Sequence, residues 1–365
     1  MKATQVLTIE DRNRRIPLYC IFCCSRDGVE VTVAKVVQHS IHYGYRFGAA
    51  HVICPETPSC NSTHVSVTTN PSDFDIAEVP FLSIENEERR DENFPYNLTV
   101  CISNVLGAEN NNALQFIQMV EMYKLLGVQK MVIYNTTCGP DLRRMLHYYQ
   151  DEGFLEIVMW PISNFLVPAT GWKFKELKGD LHNYGQITVM NDCIYRNMYR
   201  SRYVLLADMD QIIMPYEHTN LLLVLQELQK QHTNVTVFLF ENNIFPTTLS
   251  DQRNRFYDPV WKAVPGVNML KHIYRIPVSD GIASTKMIVN PRAIEQTAVF
   301  TVLKMYGATL HVPPNMSRVM QITDPELGDL SMERLILDER IWDFEELLIP
   351  RINEVVHKTM ANYSF

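Results

Sequence analysis

No stretch of the 365 residues approaches the roughly 20 consecutive apolar residues that a membrane-spanning helix needs. The opening segment, Met1 to Arg15, is too charged for a secretory leader. These two absences predict a soluble chain, joined to a membrane only through an anchor that this sequence does not contain. Positive charge is also in deficit, with 33 Lys and Arg against 41 Asp and Glu and a formal charge of -8. A broad nucleic-acid-binding surface needs the opposite balance, so nucleic acid is excluded as the main partner. An anionic substrate would have to be met by a metal or a few placed cations. Internal repeats and low-complexity tracts are absent as well. A hydrophobic content of 46% with 20% charged residues suits a globular chain with a large core, as two domains or one large domain with an added module.

Zinc-ribbon spacing is a further absence. Cys20, Cys23 and Cys24 cluster on one expected strand and Cys54 and Cys60 bracket a short turn. A zinc site needs a second paired set, whereas Cys101, Cys138 and Cys193 are scattered singly with no histidine at ligand spacing. Buried thiols, or a disulfide such as Cys54 with Cys60, are the expected uses. Six Asn-X-Ser/Thr sequons, at Asn61, Asn97, Asn135, Asn234, Asn315 and Asn362, point to a secretory history.

From about Leu18 to Val79 the chain reads as short β segments separated by turns, followed by a charged, aperiodic stretch from Glu85 to Asn93. This predicts a β-rich N-terminal module and linker over residues 1–95. Beyond it the pattern alternates. Leu98 to Ser103 reads as a strand, Asn112 to Leu126 carries helical spacing, and Lys130 to Tyr134 is a second strand. Asp141 to Gln150 is a helix that Gly153 stops, and Phe154 to Met159 is a third strand. A βαβαβ run of this kind implies a mostly parallel sheet with flanking helices over residues 96–365. A loop from Pro161 to Asp180, helices at Gln186 to Tyr199 and Leu221 to Gln231, and a strand at Val235 to Phe240 complete the reading.

The most chemical element is Tyr203-Val-Leu-Leu-Ala-Asp208-Met-Asp210, an apolar strand ending in two aspartates. Ligands bind beyond the carboxyl ends of strands in open α/β sheets, and carboxylate oxygens suit Mg²⁺ or Mn²⁺. A phosphatase with an aspartyl nucleophile also places Asp-X-Asp after a strand. Gln211-Ile212 follows here, where such enzymes supply Gly-Thr or Gly-Val.

Tyr184-Gly-Gln186 through Asn191-Asp192-Cys193 to Arg196, running into Tyr203 to Pro215, resembles the core of glycosyltransferase family 92. Asn112 to Val128, Leu146-His-Tyr-Tyr149, Val158-Met-Trp160-Pro161, Lys286 to Pro291 and Val312-Pro-Pro314 extend the resemblance over roughly residues 97 to 325. It implies a GT-A fold and a metal-dependent, inverting transfer of a hexose, usually galactose from UDP-galactose, onto a glycan acceptor in the Golgi. It places Mn²⁺ or Mg²⁺ on Asp210 with Asp208 towards the ribose. Inversion requires a base for the acceptor hydroxyl, for which Glu241 is the candidate and Asp280 the alternative.

Gln186, Asp192 and Arg196 are candidates for the base or sugar of the donor, although Asp192 and Arg196 at i, i+4 equally suit an intrahelical ion pair. Trp172 is a candidate for sugar stacking, and Lys286 and Arg292 for the phosphates. The resemblance also has departures. Family members continue the aspartate pair with Glu-Phe and carry a histidine motif after the paired prolines, where this chain has Gln211-Ile212 and Ser317 to Thr323 with Gln321. His311 is the substitute candidate for a metal ligand. These departures keep a second reading open, a diverged member that binds glycans or partners without catalysis.

Overall fold

The structure, a computed structural model, describes residues 2–360 apart from 25–27, 73–78, 87–92, 107–110, 171–176, 252, 254, 257–258, 279–283 and 325–331. It divides into two compact units, Met1–Asn93 with Ile162–Tyr199, and Phe94–Pro161 with Arg200–Phe365. The sequence reading keeps everything after residue 95 together. In the structure the helix Gln186–Arg196 instead packs on the strands Ala3–Asp11 and Phe47–Pro55 of the first unit. Its Tyr195 hydroxyl lies 3.2 Å from His51 Nε2. The helix ends three residues short of the expected Tyr199.

The first unit is β-rich, as expected. One antiparallel sheet orders Ala3–Asp11, Phe47–Pro55 and Lys35–Gln38, and another orders Gly28–Val33, Tyr19–Cys24, Ser62–Thr68 and Leu82–Ser83. Ala3–Asp11 is a strand that its charge hides from the sequence reading. It is held by nine register pairs, from Ala3 with Pro55 to Asp11 with Phe47. The suggested Cys54 to Cys60 bridge is replaced by two others, Cys20 to Cys54 and Cys24 to Cys60. Side chains four apart on a strand share a face, so Cys20 and Cys24 both turn towards the core that contains Cys54 and Cys60. Cys101 and Cys193 are disulfide-bonded too, so they are not the buried thiols expected of them. Cys138 is free and buried.

The second unit is built on a nine-stranded sheet with the order Leu155–Met159, Lys130–Asn135, Tyr96–Leu106, Ser201–Ala207, Thr285–Val289, Val235–Pro246, Ser317–Thr323 and Gln211–Pro215, and with Ala308–His311 alongside Val235–Pro246. The first four strands are mutually parallel. Thr285–Val289 runs antiparallel to both its neighbours, and Val235–Pro246 is parallel to Ser317–Thr323 and to Ala308–His311. The sheet is thus mostly parallel, the α/β arrangement the sequence predicts.

The helix Ala113–Leu125 is buried along almost its whole length, Gln115, Gln118 and Glu121 included. Its buried polar groups are satisfied: Gln115 donates to the Ile322 carbonyl, Gln118 donates to Asn268, and Glu121 is paired with Lys124. That satisfaction is what permits an amide-rich helix in a core. Pro140–Asp151 ends before Gly153, whose φ of 78° is the left-handed conformation that glycine tolerates.

Candidate active site

Chain order along the sheet reverses beside the first strand of this unit. From Tyr96–Leu106 the chain steps outward to Lys130–Asn135 and Leu155–Met159, then returns to Ser201–Ala207 on the other side. This is a topological switch point, and the crevice outside the strand carboxyl ends there is where α/β sheets place ligands. Asp208 and Asp210 follow Ala207 at that end. Only three residues separate Ala207 from Gln211, yet these two strands hold the fourth and eighth places in the order, so the sheet must curl back on itself.

The turn is tightly specified. Gln211 N donates to the Asp208 carbonyl at 3.1 Å, and its side-chain oxygen accepts from Asp208 N at 2.9 Å. Tyr123 from the buried helix donates to the Gln211 carbonyl at 3.0 Å, and Ile322 N donates to the Asp210 carbonyl at 2.9 Å. Each carboxylate then has its own partner. Lys286 Nζ lies 2.6 Å from Asp208 Oδ2, with the Lys286 side chain 2% exposed and that of Asp208 16% exposed. Gln321 Nε2 donates to Asp210 Oδ2 at 2.9 Å. Gln321 accepts in turn from Asn242 at 2.6 Å, and Asn242 also donates to Ser284 Oγ at 3.1 Å.

Burial, and next the charge of Asp208, push the Asp210 carboxyl up to about 6. Desolvation disfavours the ionised form and a like charge nearby adds to it. Two oxygen donors one residue apart, one of them short of positive charge, fit a hard divalent cation. The fit is better at Asp210 than at Asp208, because Lys286 already compensates Asp208.

Other candidates are placed as follows. Glu241 lies in the Val235–Pro246 strand, half-buried, and accepts from Asn243 Nδ2 at 3.1 Å. Thr285–Val289 lies between this strand and the aspartate strand, so the two are not neighbours in the sheet. No hydrogen bond joins Glu241 to either aspartate among the described residues. His311 is exposed at the end of Ala308–His311, opposite Leu239. Among the described residues no metal-ligating cluster of three groups His311 with the aspartates; the one such cluster contains the disulfide-bonded Cys24 and Cys60.

Gln186, Asp192 and Arg196 lie on the helix of the first unit. There Gln186 is buried and accepts from Asn183 at 3.0 Å, Asn191 bonds back to the Ile187 carbonyl, and Arg196 pairs with Asp192 at 3.1 Å. Arg292 donates to the carbonyls of Ser201 and Arg202 and stacks over Phe94. It therefore braces the start of the aspartate strand. Trp172 and Asp280 lie outside the described residues. Sequence reasoning missed Gln321 and Asn242 as members of the site. Gln211 and Gln321 stand out in the sequence only as departures, and their register pairing becomes visible only in the folded sheet.

The profile described as Glycosyltransferase family 92 matches residues 96–363. Two curated relatives from Caenorhabditis elegans are similar. "Glycosyltransferase family 92 protein F13G3.3" is 24% identical over 256 residues, 69% of this chain and 46% of the relative. "Beta-1,4-galactosyltransferase galt-1" is 20% identical over 200 residues, 53% of this chain and 44% of the relative. The chain spans less than half the length of either. Among solved structures, S. aureus TarS in complex with UDP-GlcNAc is similar at a TM-score of 0.36 and 9% identity, over 72% of this chain and 71% of that one.

Proposed function

Because the chain belongs to glycosyltransferase family 92, we propose that its second unit transfers a hexose from a nucleotide-sugar donor to a glycan acceptor at the Asp208 and Asp210 turn. The observation that carries this reading is the position of that turn, at the carboxyl end of a strand beside the topological switch point. Galactose from UDP-galactose is the proposed donor, supported by the name of one relative. A Golgi or other secretory location is supported by the disulfides, which persist in oxidising compartments.

Asp210 would hold Mn²⁺ or Mg²⁺, with Asp208 turned to the ribose and its charge paired with Lys286. A divalent ion there supplies Lewis-acid neutralisation of the departing diphosphate. Gln321 and Asn242 fix the rotamer of Asp210, and the Gln211 side chain fixes the turn. Glu241 is the proposed general base that takes the proton of the acceptor hydroxyl, with Asp280 as its alternate. His311 is proposed as an outer ligand.

A specific observation favours a second reading, binding without turnover: Asp208 already has a cation in Lys286, and an amide stands at Gln321. A panel of UDP-sugars with and without Mn²⁺, read by melting temperature and UDP release, separates the two. The catalytic reading expects Mn²⁺-dependent stabilisation by UDP and release of UDP, both lost in Asp210→Asn. In Glu241→Gln it expects turnover to fall about 10²-fold or more with donor binding kept. Stabilisation without release supports binding alone. No stabilisation by any UDP-sugar sinks the catalytic reading and leaves a diverged member that binds glycans or partners without a nucleotide sugar.

A further inference from the structure

The six sequons differ sharply in what the fold does with them. Asn61, Asn97, Asn234 and Asn315 are exposed. Asn135 closes the strand Lys130–Asn135, is in register with both Leu106 and Met159, and has its side-chain oxygen buried. Asn362 lies outside the described residues. The two cystines of the first unit are features of an oxidising compartment, which is also where asparagine-linked sugars are added.

We infer that the folded chain carries N-linked oligosaccharides at Asn61, Asn97, Asn234 and Asn315 and none at Asn135, because its buried side-chain oxygen and doubly paired strand end leave no room for a sugar and copies modified there before pairing do not reach this fold. In the reaction the asparagine Nδ2 bonds to the anomeric carbon of a lipid-diphosphate-linked oligosaccharide. The carbon–oxygen bond to the diphosphate breaks, the amide gives up one proton, and the lipid diphosphate leaves.

The fold also sets when each site can react. Modification requires the hydroxyl two residues after the asparagine. Thr99 is fully buried with its hydroxyl 2.6 Å from Ser201 Oγ, Thr236 donates to the Tyr306 carbonyl at 2.6 Å, and buried Ser317 donates to the Met214 carbonyl at 3.0 Å. Those hydroxyls are consumed by the finished sheet, so Asn97, Asn234 and Asn315 react only while their strands are still extended and unpaired. At Asn61 the asparagine and Thr63 are both exposed in the folded chain, and the Thr63 hydroxyl meets the adjacent, exposed His64 ring at 3.0 Å rather than a buried group or a carbonyl of another strand. Asn61 is therefore the site whose asparagine and hydroxyl residue both stay at the surface after folding.

Two experiments test this. In the first, the full chain is recovered from the secretory pathway of a eukaryotic host and treated with peptide:N-glycosidase in heavy-oxygen water, and peptides are mapped by mass. Labelled aspartate is expected at positions 61, 97, 234 and 315 and not at 135. Label at 135, or none at the four exposed positions, overturns the assignment. In the second, unglycosylated, folded and disulfide-bonded chain is given a purified oligosaccharyltransferase with its lipid-linked donor. Asn61 is expected to be modified at least tenfold faster than Asn97, Asn234 or Asn315. Equal rates at Asn61 and Asn97 would overturn the timing argument.

Discussion

Replacing Lys286 by methionine removes a buried ammonium and keeps most of the volume of its stem. The partner left behind is Asp208, whose Oδ2 sits 2.6 Å from the lysine nitrogen. Breaking a buried ion pair by removing one member costs about 3–5 kcal/mol, because a charge is left uncompensated in a poorly solvated place. The Asp208 side chain is still 16% exposed, so water recovers part of that loss. About 2–3 kcal/mol is the expected destabilisation. Neutralising Asp208 at the same time removes the stranded charge. The double variant Lys286→Met with Asp208→Asn is therefore expected to regain most of the stability, with a coupling of about 2 kcal/mol in a double-mutant cycle.

Urea denaturation of the disulfide-intact chain, followed by tryptophan fluorescence, measures all four corners of the cycle. Binding of UDP with Mn²⁺ present or chelated supplies a second readout that packing alone does not move. Lys286→Met is expected to weaken UDP binding about tenfold or more, and Lys286→Arg to weaken it less. A single variant within 0.5 kcal/mol of the parent, or a double variant no more stable than the single, would refute the claim that Lys286 compensates Asp208.

Acid sensitivity should come from histidines before carboxylates. Burial holds His39 and His182 down at about 4, below the usual 6.5. The unfolded chain binds those protons first, so this contribution is complete above pH 6.5 and is lost as pH falls towards 4, at about 3 kcal/mol for each residue. His39→Phe is expected to flatten the stability profile between pH 6.5 and 4.5, and an unchanged slope counts against the assignment. Glu56 and Asp11 are shifted below their ordinary values, so they act only in more acid solution. Opening the Cys24 to Cys60 bridge as a double alanine variant leaves Cys20 to Cys54 closed, so the loop it frees is the short ring through residues 20–24 and 54–60. For a loop of about a dozen residues the expected loss is up to about 3 kcal/mol by loop-closure entropy, read as a fall in melting temperature that reductant does not deepen as far as in the parent.

The apolar strand ending at Asp208 and the periodic helix Ala113–Leu125 were legible in the sequence because each rests on a short-range signal, a run of β-branched and aliphatic residues or a 3.6-residue repeat. Leu221–Gln231 was legible for the same reason, with Asn220 capping it at Leu223 N. What the sequence hid is long-range. Nothing in Val235 to Glu241 tells that Thr285–Val289 inserts between it and the aspartate strand, since that pairing joins residues 44 to 85 positions apart, from Glu241 with Thr285 to Val204 with Val289. The helix carrying Gln186, Asp192 and Arg196 follows the catalytic pattern in sequence and packs in the other unit, because its buried face matches Ala3–Asp11 and Phe47–Pro55. Disulfide pairing was hidden likewise: proximity in sequence favours Cys54 with Cys60, while the strand Tyr19–Cys24 supplies the partner that each of them takes.

The two glutamines show how a residue type can be noticed for the wrong reason. Seen singly, Gln211 and Gln321 are lost charges beside a pair of acids. In the folded sheet they face one another across an antiparallel ladder. One closes the turn at Asp208 N and the other donates to Asp210 Oδ2. A neutral amide donating to a carboxylate fixes its rotamer without adding a further negative charge to a site where burial already raises the Asp210 carboxyl. A glutamate at either position would add a third carboxylate to the cluster and would turn the donor at Gln321 into an acceptor. The arrangement is consistent in charge only as it stands: one lysine, two amides and two acids, with one positive charge still wanting beside Asp210.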